Sequence, residues 1–151
     1  MATYSIQEEN TMEAAAEVIP LAARHYNEVE DKAPTVPFNI NWSTIEALVQ
    51  ANILSLVVAR VDGIAVGYFA NLITEDFMTS QVEAKELAIY IDPAHRKTRL
   101  FHKMMKVTEE VLRERGIKTQ YITFKAGHNT ELPLRLGFTH TETTYQKILE
   151  A

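Results

Sequence analysis

The chain has 151 residues, 46% of them hydrophobic and 23% charged, which is typical of a globular protein long enough to bury one core. Its formal net charge of −5, from 20 acidic and 15 basic residues, argues against electrostatic binding of nucleic acid by the whole chain. Cysteine is absent, which excludes disulfides and a catalytic thiolate, and no apolar run is long enough to span a bilayer. We therefore expect a single domain over residues 1–151, resident in the cytoplasm, with no membrane partner.

The first elements predicted are a strand and a helical region. Tyr4–Gln7 alternates weakly, as a strand does, and Asn10 is the expected cap of a helix over Met12–Ile19. Pro20 cannot donate to the helical hydrogen-bond ladder, so Leu21–Val29 is either a second helix or a bent continuation of the first.

From residue 43 onward the pattern changes from helix to strand and back. The predicted elements are a helix capped by Ser43 and ending at Gln50, strands Leu54–Arg60, Ile64–Thr74 and Val82–Ile91, a helix Leu100–Arg115, a strand Ile117–Lys125, a short helix within Gly127–Leu136, and a closing strand Phe138–Leu149.

A strand–helix–strand unit within this order sets the fold class. Leu100–Arg115 is the clearest helix, because its apolar residues lie on one face. A helical crossover joins parallel strands, so Val82–Ile91 and Ile117–Lys125 should be parallel, whereas the preceding strands form antiparallel pairs. We therefore expect an α+β fold with a mixed, mostly antiparallel sheet flanked by helices. One parallel pair in such a sheet leaves a splayed gap that can accept an extended ligand.

A short basic loop leads from that strand into the clearest helix. His95, Arg96, Lys97 and Arg99 lie between the end of the strand and Leu100. The first amides of a helix lack intrahelical partners and the helix dipole is positive there, so phosphates bind at such positions. A solvated basic turn explains any one charge run, but the order of strand, proline, basic loop and amphipathic helix favours phosphate binding.

The segment Ile91–Phe101 resembles the pyrophosphate loop of GNAT-family N-acetyltransferases. In that family an apolar strand ends at a proline, and an arginine precedes a glycine-rich turn around the pyrophosphate of CoA. Thr119–Phe124, His128, Asn129 and the ending Leu136–Phe138 are similar to the family's next strand, short helix and Gly-Phe turn.

Within the family, the chain is most similar to short GNAT proteins encoded in phage and prophage genomes. The similar residues are His25–Glu28, Asp62–Gly63 with Gly67–Tyr68, and Glu142–Lys147. The resemblance covers roughly Leu21 to Leu149, and it depends on the order and spacing of the motifs.

The resemblance implies acetyl-CoA as cofactor and its direct transfer to an amine. The residues it implies for cofactor binding are Ile89, Tyr90, Ile91, Arg96, Lys97, Thr98, Arg99, Leu100, Phe101, His102 and Asn129. The chain departs from the family where glycines are usual, because Lys97, Thr98, Arg99 and Phe101 stand there. The loop is then wider, or Arg and Lys side chains hold the pyrophosphate, or the cofactor site is lost.

Glu86 is the first candidate for the base that deprotonates the amine, since the family often places an acid on this strand. A rim carboxylate paired with a nearby cation is the alternative interpretation. Glu83 is a weaker candidate, and strand alternation puts it on the opposite face unless a bulge intervenes. Pro133 occupies the position of the family's usual proton-donating tyrosine, so Tyr145, or else Tyr90, is the substitute, although a buried aromatic role is more usual for both.

The predicted function is acetyl-CoA-dependent N-acetylation of an unidentified small-molecule or peptide amine, with a homodimer as a candidate assembly. His25 and Glu28 lie one helical turn apart and could line the acceptor site together. One alternative is a degenerate GNAT-like domain that binds CoA or a protein partner without catalysis, and a nucleic-acid binder is the weakest. No metal is expected, because the five histidines lack ligand spacing.

Overall fold

A computed structural model of the protein describes residues 3–30, 33–125 and 131–149. Its elements are β1 (Tyr4–Glu8), α1 (Met12–Val29), α2 (Trp42–Gln50), β2 (Leu54–Val61), β3 (Ile64–Glu75), β4 (Val82–Ile91), a 3-10 turn (Pro93–His95), α3 (Leu100–Glu114), β5 (Thr119–Tyr121) and α4 (Glu131–Arg135). In the described residues the strands form one sheet in the order β1-β2-β3-β4-β5. Every neighbouring pair is antiparallel except β4–β5, which is parallel. The predicted α+β class and the parallel pair are thus confirmed.

Helices cover both faces of the sheet. On one face α1 and α2 pack against Tyr68 and Tyr90, and on the other α3 packs against Val57 and Phe69. Phe69 is fully buried, as is Met104 at the centre of α3. The apolar stripe that predicts α3 from the sequence is therefore the stripe that the sheet buries.

Helix α1 continues without interruption through Pro20. Proline removes one backbone hydrogen bond, but Val18 and Leu21 on either side are buried against the sheet, and their packing holds the helix together. Of the two predicted alternatives, Leu21–Val29 is therefore the continuation of the first helix and not a second helix. The predicted cap is wrong, because the Thr11 side chain accepts from the Ala14 amide.

The cap of α2 also differs from the prediction by two residues. Asn41, not Ser43, accepts from the backbone amide of Thr44. The side chain of Glu46, within α2, accepts from Gln50. Asn is as good a cap as Ser, so the sequence offered two equivalent starting points.

The last third of the chain has less regular structure than predicted. Strand β5 covers only Thr119–Tyr121, and the described part of the last predicted helix spans Glu131–Arg135. The predicted closing strand is wrong, since residues 138–149 form no strand and 139–149 are exposed. Alternating side chains stabilise a strand only when one face is buried, and these gain no such burial. No helix in the described ranges is long and apolar enough to cross a membrane.

Candidate active site

The 3-10 turn after β4 is fixed by Asp92. Its carboxylate accepts from the Ala94 amide at 3.0 Å and from Arg24 of α1 at 2.9 Å, while its carbonyl accepts from the His95 amide. The hydrogen bond from Ala94, assisted by Arg24, holds the pKa of the Asp92 carboxyl below its usual value. A buried strand, a capped turn and α1 are therefore joined at one point.

The start of α3 presents free backbone amides without any glycine. The Thr98 hydroxyl donates to the His95 carbonyl at 2.7 Å and accepts from the Leu100 amide at 3.2 Å. Arg99 precedes the helix without a side-chain cap, and its amide and those of Phe101 and His102 have no acceptor in the described part of the chain. This arrangement is one that anions bind.

The Arg96 side chain is engaged by β4 and α1. Its Nε donates to the carbonyl of Ile91 at 2.8 Å, its Nη2 donates to the Glu28 carboxylate at 2.9 Å, and its guanidinium lies 5.0 Å from the centre of the Tyr90 ring. The sequence predicts Arg96 as a phosphate ligand, but its guanidinium instead joins the end of β4 to α1.

Glu28 and His25 meet the same tyrosine from α1. The Tyr90 hydroxyl donates to Glu28 at 2.8 Å, and the His25 ring stacks on the Tyr90 ring with centroids 5.3 Å apart. The hydrogen bond from Arg96, followed by that from Tyr90, lowers the pKa of Glu28, whereas burial lowers the pKa of His25. The predicted pairing of His25 with Glu28 is thus a shared contact with Tyr90.

Strands β4 and β5 form a fork. They pair only from Glu83 to Lys85 on β4, and beyond that point the Thr123 amide donates to Glu86 Oε1 at 3.2 Å. The Glu86 carboxylate therefore occupies the place where the next ladder hydrogen bond would form. Burial raises its pKa to about 7, although the bond from Thr123 lowers it.

The backbone of β4 turns outward along this fork. The amide of Asp92 donates to the Val66 carbonyl on β3, so Ile91 and Ile89 direct their own amides and carbonyls away from β3. Leu87 has no partner on β3 and is the extra residue of a bulge. From Glu83 to Glu86 the register is unbroken, which places the two carboxylates on opposite faces.

The structure brings five of the eleven predicted cofactor residues around one cleft. The cleft measures about 230 Å³ and is lined by Ile89, Tyr90, Ile91, Arg96 and Phe101. A second hollow of about 180 Å³ beside the start of α3 is lined by Tyr4, Thr98, Arg99, Leu100 and Lys103. Lys97 and His102 are exposed on the same loop and first turn.

Tyr145, the predicted proton donor, does not line the cleft. Tyr145 is 88% exposed in the segment after Phe138 and makes no hydrogen bond in the described part of the chain. Asn129 lies outside the described residues, and so does His128. No group of metal-ligating side chains occurs among the described residues.

Sequence reasoning missed one polar residue in the middle of β3. Asn71 is completely buried, and neither polar atom of its side chain has a hydrogen-bond partner within residues 3–30, 33–125 and 131–149. It is the Cα partner of Glu86 across the ladder. Its signal in the sequence is a lone amide between Ala70 and Leu72 within an apolar strand.

Comparison with known proteins agrees with this architecture. The sequence model described as "Acetyltransferase (GNAT) family" matches residues 16–138. No curated protein matches the chain significantly.

Several solved structures share the fold at low sequence identity. An aminoglycoside acetyltransferase from an uncultured soil metagenomic sample has a TM-score of 0.74 at 14% identity, covering 99% of this chain and 97% of that one. The ribosomal-protein-alanine N-acetyltransferase of Brucella melitensis scores 0.73 at 17% identity, covering 99% and 98%. The glucosamine-6-phosphate N-acetyltransferase of Arabidopsis thaliana scores 0.73 at 11% identity, covering 98% and 96%. With most of its length matched by the family model, the chain belongs to the acetyltransferase (GNAT) family.

Proposed function

We propose that the protein transfers the acetyl group of acetyl-CoA directly to an amine of a small molecule or peptide. The observation that carries the proposal is the Glu86 carboxylate, which stands at the base of the β4–β5 fork. Burial raises its pKa to about 7, near the value at which a general base works best at neutral pH.

The residues present fit acetyl-CoA. The free amides of Arg99, Phe101 and His102, together with the Arg99 side chain, would hold the pyrophosphate. The outward amides of Ile89 and Ile91 and the carbonyl of Ile89 would pair with the extended arm, as an added strand pairs with a sheet edge. When bound, the cofactor supplies an activated thioester.

The chain's own groups would supply the proton transfer and the orientation. Glu86, when ionised, accepts the proton that the amine loses as it attacks. The amide of Ile89 faces the fork and would donate to the carbonyl oxygen, on which negative charge develops. Tyr145 remains the predicted proton donor, but solvent can protonate a departing thiolate, so we expect it to matter less.

The acceptor reaches Glu86 through the fork in this proposal, and Glu28 and His25 on α1 remain residues predicted to line its site. The net charge of −5 favours a cationic acceptor. Among the structural neighbours, one is named for aminoglycosides and another for the alanine of a ribosomal protein. Aminoglycosides, polyamines and peptides with free amino termini are therefore the classes to test first.

The test begins with binding and then measures turnover. Calorimetry should show acetyl-CoA binding, and the panel of amines should reveal acetylation by the release of CoA. In the Glu86→Gln variant, kcat should fall by about 10²–10⁴-fold while acetyl-CoA still binds. Glu83→Gln, on the same strand but the opposite face, is the matched control and should retain most activity. Parent-level turnover by Glu86→Gln would remove the base assignment.

A CoA-binding protein without catalysis is the second candidate. Two observations favour it, namely the engagement of Arg96 by Glu28 and the exposure of Tyr145. Tight acetyl-CoA binding with no acetylation of any amine in the panel would support this candidate. Absence of acetyl-CoA binding would contradict both candidates.

Four further parts of the proposal concern the protein as a whole. We infer one domain spanning residues 1–151, because the family model matches residues 16–138. Kinship with short phage and prophage GNAT proteins and a cytoplasmic location are inferred from the sequence. Light scattering of the purified chain would test the candidate homodimer.

A further inference from the structure

Asn71 is an anomaly in the core of the sheet. Its side chain is completely buried at the middle of β3, and both Oδ1 and Nδ2 lack a partner among the described residues. Buried polar atoms in native proteins are nearly always hydrogen-bonded, because an unpaired atom loses its hydrogen bonds to water and gains none in the protein. An amide retained at such a position requires a partner that it meets in at least one state of the protein.

The neighbours of Asn71 narrow the choice of partner. Across the two ladders its Cα partners are Ser55 on β2 and Glu86 on β4. Directly opposite side chains in a sheet share a face, with Cβ atoms roughly 4.5–5.5 Å apart. Phe69 and Ile73, two residues to either side, both pack with α3, so Asn71 lies between the sheet and that helix.

The hydroxyl of one neighbour already uses its only donor elsewhere, so it could accept from Asn71 but could not donate to it. The Ser55 hydroxyl donates to the Glu8 carboxylate at 2.7 Å. Glu86 Oε1 accepts from the Thr123 amide, whereas Oε2 has no partner in the described part of the chain. The free carboxylate oxygen on one strand therefore stands opposite a free amide on the next.

An amide suits a carboxyl group that changes its protonation state. Its Nδ2 donates to a carboxylate, and its Oδ1 accepts from a protonated carboxylic acid. A lysine or arginine would fix the carboxylate in its charged form, and an apolar residue would favour the neutral form. A general base passes through both forms in each catalytic cycle.

We propose that Asn71 is a positioning residue for Glu86: a change of side-chain rotamer would let the Asn71 amide donate to the free carboxylate oxygen, a hydrogen bond that the two groups do not make in this structure. This inference rests on the proposed role of Glu86 as the base. Asn71 does not touch a substrate in this scheme. It selects the orientation of the carboxylate that faces the fork and stabilises its ionised form.

The first test needs no acceptor. The titration of Glu86 is followed by carbon NMR on glutamate-labelled protein, with the signal assigned by its loss in Glu86→Gln. In Asn71→Leu the carboxylate loses a charge-assisted donor, so its midpoint should move upward by about one pH unit. In Asn71→Asp a second carboxylate faces Glu86, and the upward shift should be larger.

The control separates this effect from loss of a buried polar group in general. Thr108 is also completely buried, on α3, and its hydroxyl donates locally to the Met104 carbonyl. Thr108→Val should leave the Glu86 midpoint in place. Tyr68 on β3 is the titratable group that interacts electrostatically with Glu86, and its pKa is raised by burial and then by the charges of Tyr90 and Glu86.

The second test uses turnover once an acceptor is found. Asn71→Leu should lower kcat about tenfold with little change in KM, because only the orientation of the base is lost. The pH–rate profile should move upward with the NMR midpoint. A Glu86 midpoint unchanged in folded Asn71→Leu would overturn the proposal, whatever Asn71→Asp shows, because a second carboxylate moves the midpoint by its charge alone. Since that result involves no acceptor, it is separate from any failure to find acetyl transfer.

Discussion

The raised pKa of Glu86 makes a prediction about stability that is independent of catalysis. The group titrates near 7 in the folded protein against 4.5 in the reference state. Between those values the folded chain holds a proton that the unfolded chain has lost, so stability falls as pH rises across this window. Each unit of pKa difference corresponds to 1.36 kcal/mol, so the buried charge lowers the free energy of unfolding by about 3 kcal/mol above pH 7. Glu86→Gln keeps the shape and the acceptor for Thr123 but removes the charge.

Urea unfolding of the parent and of Glu86→Gln between pH 4.5 and pH 8 measures this cost. The free energy of unfolding of Glu86→Gln should exceed that of the parent by an amount that grows with pH and reaches about 2–3 kcal/mol at pH 8. Glu110→Gln, at an exposed position on α3, is the control for removing one negative charge. A gap between parent and Glu86→Gln that does not change with pH would refute the burial argument.

Three other substitutions test the contacts around the fork. Arg99→Ala should weaken acetyl-CoA binding about tenfold by calorimetry, and Arg96→Ala less, since Arg96 is engaged by Glu28; equal losses would show that Arg96 turns to the phosphates. Arg60→Ala breaks two ion pairs of a side chain only 15% exposed and should lower the unfolding free energy by about 2–3 kcal/mol in urea titration, where an unchanged midpoint would contradict the prediction. Gly67→Ala places a Cβ 3.1 Å from the carbonyl oxygen of Tyr90. The substitution should therefore lower the free energy of unfolding by about 1–3 kcal/mol and weaken acetyl-CoA binding. A parent-like melting temperature and affinity would show that the backbone of β4 shifts at no measurable cost.

The sequence predicted elements whose signals are local and strong. The boundaries of β4 are as predicted, and α3 ends one residue earlier than expected, because its apolar stripe and Gly116 mark it clearly. The basic loop was predicted from its place between these two elements, and Glu86 from its place on β4 together with the family resemblance. Both lie where short-range patterns determine the backbone.

The features that sequence reasoning missed depend on distant residues. Arg96 is drawn to Glu28, which is 68 positions away along the chain, so no local pattern indicates it. The bulge at Leu87 appears only in the register between β3 and β4. The closing strand failed for a similar reason, since residues 138–149 carry strand-forming side chains but no neighbouring strand pairs with them.

The outward backbone of Ile89 and Ile91 also bears on self-association. An unpaired strand edge is a template for pairing with an extended segment of another chain, and here that edge lies inside the sheet. The bulge at Leu87 interrupts the template, and Arg96 covers the carbonyl of Ile91. A ligand lying in the fork would cover the backbone groups of this edge that are still unpaired, so the protein should aggregate more slowly when the fork is filled. Removing Arg96 would uncover one more acceptor on the edge and make the free chain less soluble.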